Sequence, residues 1–235
     1  RSKSNIKTES NDHSSKSSIV KLLKFAYILI YIIIVFLISI IYKSFNPNNN
    51  EAFRKIIHIG IGPLIPFAKF LDINQTSALY FTGLVSFLTF INYKSKLFPT
   101  IEDVDRKSYG TLFYCLGLFI LIYLYWNKDS TSLIAGFFIM TFGDGLAGLI
   151  GKNFQSKSWI FFNQKKSFIG TVTMFITSFI VVFGLSYFQR YPFNINLITI
   201  SLISTVLEQF SIFGIDNLIV PISAAFCFNF FITGL

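Results

Sequence analysis

Long apolar runs separated by short polar breaks set the pattern of this chain. Residues 22–42, 56–71, 77–93, 111–126, 132–150, 168–188, 197–207 and 218–235 are dominated by Ile, Leu, Phe, Val and small residues. The breaks between them carry Asn, Pro, Gly and Asp, residues that turn a chain. A helix crosses a hydrocarbon core with ~20 mostly apolar residues, so a chain of this length holds about seven or eight of them and no separate soluble domain. The pattern therefore predicts an all-α integral membrane protein of about seven to eight transmembrane helices. Segment 56–71 is short and contains Gly60, Gly62, Pro63 and Pro66, which predicts a kinked or re-entrant helix; segment 197–207 is short as well. No internal repeat is visible, since the segments differ in length and punctuation. Residues 1–18 are rich in Ser, Lys and Asn and lack the apolar content to fold. They are expected to form a disordered polar tail ahead of a transmembrane domain over 19–235, and Glu9 and Asp12 argue against a transit sequence.

Composition agrees with the pattern. Hydrophobic residues make up 53% of the chain and charged residues 13%, too little charge to cover the surface of a water-soluble domain. The net charge of +9 does not point to nucleic acid, because Lys and Arg sit in short loops and no basic helix is available for a groove. Anionic lipid headgroups and a phosphorylated substrate suit these loops better. If every segment spans, Arg54 and Lys55, then Lys94, Lys96, Arg106 and Lys107, then Lys152, Lys157, Lys165 and Lys166 share one face, against Lys69, Lys128 and Arg190 on the other. The Lys-rich loops should then face the cytoplasm or its organellar equivalent, although Lys16, Lys21 and Lys24 fall on the opposite side. Asp144, Glu208 and Asp216 lie at the membrane boundary of the Lys-rich face. Cys115 and Cys227 sit inside apolar runs and read as small core residues.

Four stretches could carry chemistry. Asp144 is embedded in a strongly apolar segment between Gly143 and Gly145, and an acidic residue so placed normally lines a polar cavity. On a helix Gly148 and Gly151 share its face, leaving a bare strip beside the carboxylate for a Mg²⁺ ion, a phosphate or another backbone. The alternative is tight helix packing, with Asp144 paired to a loop Lys. Arg54 and His58 stand one helical turn apart with Lys55 beside them; a planar guanidinium and a point charge suit phosphate oxygens, whereas headgroup anchoring is the simpler use of a Lys at a helix end. Lys165, Lys166, Ser167 and Gly170 open segment six, where free N–H groups and cations can hold an anion. Glu208 and Asp216 add carboxylates for metal or base chemistry. There is no GxxxxGK[ST] loop, HExxH or GxSxG, which excludes a P-loop kinase and a zinc hydrolase of those kinds.

Taken in order, Arg54-Lys55-Ile56-Ile57-His58, Tyr109-Gly110-Thr111, Gly143-Asp144-Gly145 with Gly148 and Gly151, Lys166-Ser167 with Gly170-Thr171, and Asp216-Asn217-Leu218 with Val220-Pro221 resemble the membrane family of CTP-dependent lipid kinases. That family includes phytol, farnesol, dolichol and diacylglycerol kinases, and the resemblance covers roughly residues 52 to 225. An apolar Ile169, where many bacterial relatives carry Glu, makes the chain most similar to the phytol kinase branch of plants and cyanobacteria. The resemblance implies transfer of a phosphoryl group from CTP to an isoprenoid alcohol, giving phytyl phosphate for tocopherol and related prenyl lipids in a cyanobacterial or plastid membrane. It also implies Mg²⁺ on Asp144, with Asp216 or Glu208 as second ligand or proton acceptor. Arg54, Lys55, Lys152, Lys165, Lys166 and Ser167, with Gly143, Gly145, Gly148, Gly151 and Gly170, would surround the nucleotide. A phosphatidate cytidylyltransferase is a rival, but its Lys-rich run closing on His-Gly-Gly and Asp-Arg is missing; a small transporter is the non-enzymatic rival.

Overall fold

A computed structural model describes residues 2–47, 49–95, 109–161 and 164–234, with residues 2–18 described by their backbone only. Helix α1 (Ser2–Phe45) is followed by α2 (Asn50–Ile61), α3 (Leu64–Phe70), α4 (Gln75–Ser95) and α5 (Gly110–Tyr125). Next come α6 (Ser130–Phe138), a π-helical stretch Ile139–Asp144, and α7 (Gly145–Asn153), stacked as one rod. A hairpin of β1 (Ser158–Phe161) and β2 (Gln164–Ser167) leads into α8 (Phe168–Phe188), then α9 (Asn196–Gln209), α10 (Asp216–Phe228) and a final π turn Asn229–Thr233. Ile19–Phe45, Ser130–Asn153, Phe168–Phe188 and Asp216–Thr233 are long and apolar enough to cross a membrane, and Gly110–Tyr125 is a shorter apolar helix. The fold is thus the all-α one that the apolar runs predict.

Three local features have physical causes. The helix of the first span continues back to Ser2, where an unstructured tail is expected; once a span is helical, each added residue gains a hydrogen bond without a new nucleus. The predicted kink in segment 56–71 is a break between α2 and α3 at Gly62 and Pro63, because Pro63 has no N–H to continue the ladder. The hairpin was not expected. Its strands pair antiparallel, Ser158 with Ser167 and Phe161 with Gln164, and Trp159, Ile160 and Phe161 are residues that favour a pleated strand.

The outer surface is apolar as well as the core, unlike that of a soluble protein. Along α8, Met174, Ser178 and Val182 are buried while Ile176, Ile180, Phe183 and Tyr187 are exposed. The same outward apolar stripe covers α1 and α4. Water would penalise so continuous a hydrophobic surface, and hydrocarbon would not. Several hydroxyls inside the bundle bond back along their own helices: Ser39 to the Val35 carbonyl at 2.8 Å, Thr82 to Ala78 at 2.8 Å, Ser201 to Leu197 at 2.8 Å, whereas Ser178 and Ser186 of α8 have no partner. Each bonded hydroxyl is thereby satisfied within its own helix.

Glycines set the close approaches. A Cβ on Gly117 would sit 2.8 Å from the Asn217 carbonyl, and one on Gly136 would collide with the Pro221 carbonyl. Helix α10 therefore packs backbone against backbone on α5 and α6, as small residues permit in membrane helices. Polar contacts collect at the two ends of the bundle. At one end Lys69 donates to the Trp126 carbonyl, Asn127 to Gln75, and Asn229 and Thr233 to Asp129. Lys24 reaches Asp72 at this same end, so the start of the first span lies away from the Lys-rich loops. At the other end meet the beginnings of α2, α5, α8 and α10 and the ends of α7 and α9.

Candidate active site

Lys55 and Asp144 form the centre of the Lys-rich end. Helix α2 starts at Asn49, whose side chain accepts from the Ala52 N–H at 3.1 Å and so caps the first turn. This places Lys55 one turn in, facing α7. Its ammonium lies 2.6 Å from Asp144 Oδ2 and 3.2 Å from the Asp144 carbonyl, with both side chains 15% exposed. His58, one turn after Arg54, lies 3.6 Å from the same carboxylate oxygen through Nε2, which is also 3.2 Å from the Met140 carbonyl. Met140 and Asp144 belong to the π-helical stretch, a distortion that recurs at functional sites because it re-aims side chains and carbonyls.

Tyr114 of α5 completes this half of the site. Its ring packs on His58 with centroids 4.4 Å apart, and its hydroxyl donates to the His58 carbonyl at 3.2 Å and lies 3.2 Å from Thr141 Oγ1. Tyr114 did not stand out in the sequence, whereas Thr141 opens the stretch 141–152 that holds Asp144. A Tyr in an apolar run carries no signal of its own, although a buried phenol usually finds a polar partner.

The other half is built by the hairpin and α9. Lys166 pairs with Glu208, donating to its carboxylate and, at 2.8 Å, to its carbonyl. Gln209 donates to Glu208 Oε2 at 2.8 Å and to Thr171 Oγ1 at 3.2 Å. Ser167 caps α8 by accepting from the Gly170 N–H at 3.2 Å. The sequence reading treats Lys165 and Lys166 as a pair, but they are successive strand residues and point to opposite faces. Lys166 turns inward to Glu208, and Lys165 is exposed.

Asp216 stands between the two halves, at the first turn of α10. It is 7% exposed and feels the charges of Asp144, Lys166, Lys55 and Glu208. Its Oδ1 has no hydrogen-bond partner, and neither do Asn217 Oδ1 and Gln209 Oε1 nearby in sequence and at the same end. Pro221 has no N–H with which to bond the Asn217 carbonyl in the helix ladder. Buried acceptor oxygens left unpaired beside cations call for an ion, water or ligand.

Two further expectations change. Lys152 does not reach this cluster: it pairs with Glu51 at 2.7 Å and is half exposed. The glycine strip beside Asp144 is not open in this structure. A Cβ on Gly148 would lie 2.7 Å from Lys55 Cε, one on Gly145 2.5 Å from Ile59, one on Gly143 2.7 Å from Met174 Sδ, and one on Gly151 3.1 Å from Gly170. These glycines let α2 and α8 approach α7, and Gly148 in particular makes the channel that Lys55 uses. Arg54 stays within electrostatic reach of His58, and Lys96, Arg106 and Lys107 lie outside the described residues.

Among the described residues no three His, Cys, Asp or Glu side chains form a ready metal cage. That does not count against Mg²⁺, which is commonly held by one or two carboxylates plus substrate phosphates and waters. The unpaired Asp216 Oδ1 and the Asp144 carboxylate are a donor set of this kind.

No family model matches the chain, and no solved structure matches it. Curated proteins do. A phytol kinase of the cyanobacterium Synechocystis is 35% identical over 182 residues, which cover 74% of this chain and 77% of that protein. A probable chloroplastic phytol kinase of Triticum aestivum is 29% identical over 193 residues, 72% of this chain and 64% of that protein. Phytol kinase 1 of Arabidopsis thaliana, also chloroplastic, is 28% identical over 193 residues, covering 72% and 63%. The chain thus spans just under two thirds of the plant proteins and more of the cyanobacterial one. Similarity of that extent to the cyanobacterial enzyme places this chain in the phytol kinase family.

Proposed function

We propose that this protein is a multi-pass membrane kinase that transfers the terminal phosphoryl group of CTP to the hydroxyl of an isoprenoid alcohol, phytol first among them, with its Lys-rich end toward the compartment that supplies the nucleotide. The observation that carries the reading is the buried alternation of cations and carboxylates at one end of an apolar bundle. Lys55 with Asp144 and Lys166 with Glu208 flank Asp216, which keeps an oxygen unpaired. Phosphoryl transfer needs little covalent help from a protein; it needs positioning and neutralisation of charge. An alcohol with a long apolar tail is met in the bilayer, and its hydroxyl must reach a polar end such as this one.

In this scheme Asp144 and Asp216 would hold Mg²⁺, which when bound supplies charge neutralisation on the phosphate oxygens. Lys55 has a resting partner in Asp144, so an arriving polyphosphate draws the ammonium away and frees the carboxylate for the cation. Lys166, on the hairpin, is the second neutralising group, with Arg54 beside His58 as a third. The Asp216 carboxylate oxygen that does not hold the cation takes the hydroxyl proton as the alcohol oxygen bonds to the terminal phosphorus, the bridging P–O bond breaks, and CDP leaves. Glu208, already accepting from Lys166 and Gln209, holds Lys166 in place. The chloroplastic and cyanobacterial relatives favour a plastid or cyanobacterial membrane. Supplying purified protein with CTP, Mg²⁺ and, in parallel, phytol, dolichol, diacylglycerol or phosphatidate tests the reading. Phytyl phosphate as the favoured product supports it; a CDP-lipid, or preference for dolichol or diacylglycerol, replaces it.

A further inference from the structure

Beneath the site lies a narrow apolar slot with about 40 Å³ of free space, walled by α1, α3, α4 and α5. Leu64 and Leu118 border it on the side of the site, Ala78 and Trp126 on the far side, and Thr82 between them. Thr82 turns its hydroxyl to the Ala78 carbonyl at 2.8 Å, so it presents no unpaired polar group. Trp126 is 2% exposed and is held by Lys69, whose ammonium lies 4.7 Å from the ring centroid and 2.8 Å from the Trp126 carbonyl. The far end is therefore closed. A void with no polar lining stays dry and lacks the dispersion contacts that a well-packed interior has.

Tyr114 stands between the slot and the site. Tyr114, which touches His58 and Thr141, belongs to the same buried cluster as Leu118, Ile122 and Trp126. Leu118 is one turn below Tyr114 and Ile122 two turns below, or ~12 Å along α5 at the helical rise. At the same rise Trp126 lies three turns below Tyr114, ~18 Å along the helix. That run is comparable to an extended isoprenoid chain. The walls can also part: α1 leans chiefly on α2, α4 packs on α5, and no extensive contact joins α1 to α4 among the described residues. Most of α1 in the span faces outward.

From this geometry we infer that the slot between Tyr114 and Trp126 is the tail site of the acceptor alcohol, admitted sideways from the bilayer between α1 and α4 and measured against a floor formed by Ala78 and Trp126. The inference rests on the alcohol-kinase reading above. With the hydroxyl beside Asp144 and Asp216, the tail runs past Tyr114 and Leu118, and the floor sets the longest chain that fits.

Two variants and one probe test it. Ala78→Trp fills the floor and should lower kcat/KM for phytol relative to a prenol of two isoprene units at least tenfold. Trp126→Leu lowers the floor and should shift preference the other way, toward alcohols longer than phytol. A phytol analogue carrying a photoreactive group at its tail end should label α4 near Ala78 and Thr82 in the wild-type protein, with excess phytol suppressing the labelling. If the wild-type phosphorylates no prenyl alcohol, the kinase reading itself fails. If it does, yet both variants keep the wild-type chain-length profile or the probe labels only outward-facing residues of α8, the tail lies elsewhere and the slot is overturned. Should Ala78→Trp not accumulate in membranes, the Trp126→Leu profile and the labelling decide by themselves.

Discussion

Lys55 Nζ lies 2.6 Å from Asp144 Oδ2 across the contact of α2 with α7, and Gly148 opens the channel through which the lysine stem passes. Of the two uses that the sequence allows Asp144, ligand site or partner of a Lys, the structure displays the second. The two are compatible if the pair is the resting state of the site. A buried ion pair is weak evidence for stability in its own right, but removing one partner leaves the other charge uncompensated.

The first prediction follows from that asymmetry. Asp144→Asn alone and Lys55→Met alone should each destabilise the protein by about 3–5 kcal/mol, seen as lower melting temperatures in detergent. The double variant should recover most of that loss and still transfer no phosphate. A double variant whose loss equals the sum of the singles would show that the two side chains are not coupled.

Gly148 tests the channel. A Cβ there meets Lys55 Cε at 2.7 Å, so Gly148→Val should push the ammonium off Asp144 and raise the KM for CTP several-fold, at a packing cost of about 1–3 kcal/mol. Gly184 of α8 is the control, since a Cβ there meets nothing within 4 Å. Gly184→Ala should leave activity unchanged and stabilise α8 by up to ~1 kcal/mol through helix propensity. Equal CTP kinetics for Gly148→Val and wild-type would separate Lys55 placement from nucleotide use.

The hairpin makes two adjacent lysines unequal. Lys166→Gln removes the partner of a buried Glu208 and should cut kcat/KM for CTP by more than tenfold, whereas Lys165→Gln, exposed on the other strand face, should stay within about twofold of wild-type, as surface substitutions usually do. Steady-state kinetics on the two single variants decides. The opposite ranking would mean that the strand register does not govern access to the site.

Sidedness can be read by labelling. Cysteines placed at Lys94 and Lys157 should react with an impermeant maleimide from one side of a sealed vesicle, and those at Asp72 and Lys128 from the other. Lys94 and Asp72 labelled from the same side would break both the alternation of helices and the single polar face on which the site stands.

Much of this was legible in the chain, and the reasons differ by element. The apolar runs gave the helices because length and hydrophobicity alone decide what suits a bilayer. Gly62 and Pro63 announced a break, since proline removes a backbone donor. Five ordered motifs pointed to the family that the cyanobacterial similarity establishes. Asp144, Glu208, Asp216, Lys55 and Lys166 were expected on one face, and they do meet. Less visible were facts that depend on register and close packing. Helical periodicity puts Gly148 on an open face, but only the position of α2 reveals Lys55 in that space. The π-helical stretch at Ile139–Asp144 leaves no mark in composition, and Tyr114 is one aromatic in an apolar run. Lys165 and Lys166 read as a pair until the strand turned them apart, a consequence of the two-residue side-chain period.

The most direct measurement follows the terminal phosphate itself. Purified protein in lipid nanodiscs receives γ-labelled CTP, Mg²⁺ and phytol, and the lipid and nucleotide products are separated. The account predicts label in phytyl phosphate with one CDP formed for each, and none when Asp144 is replaced by Asn within the stabilised double variant. Label released as pyrophosphate with a CDP-lipid, or CTP left unconsumed by a folded, membrane-inserted protein, would contradict it.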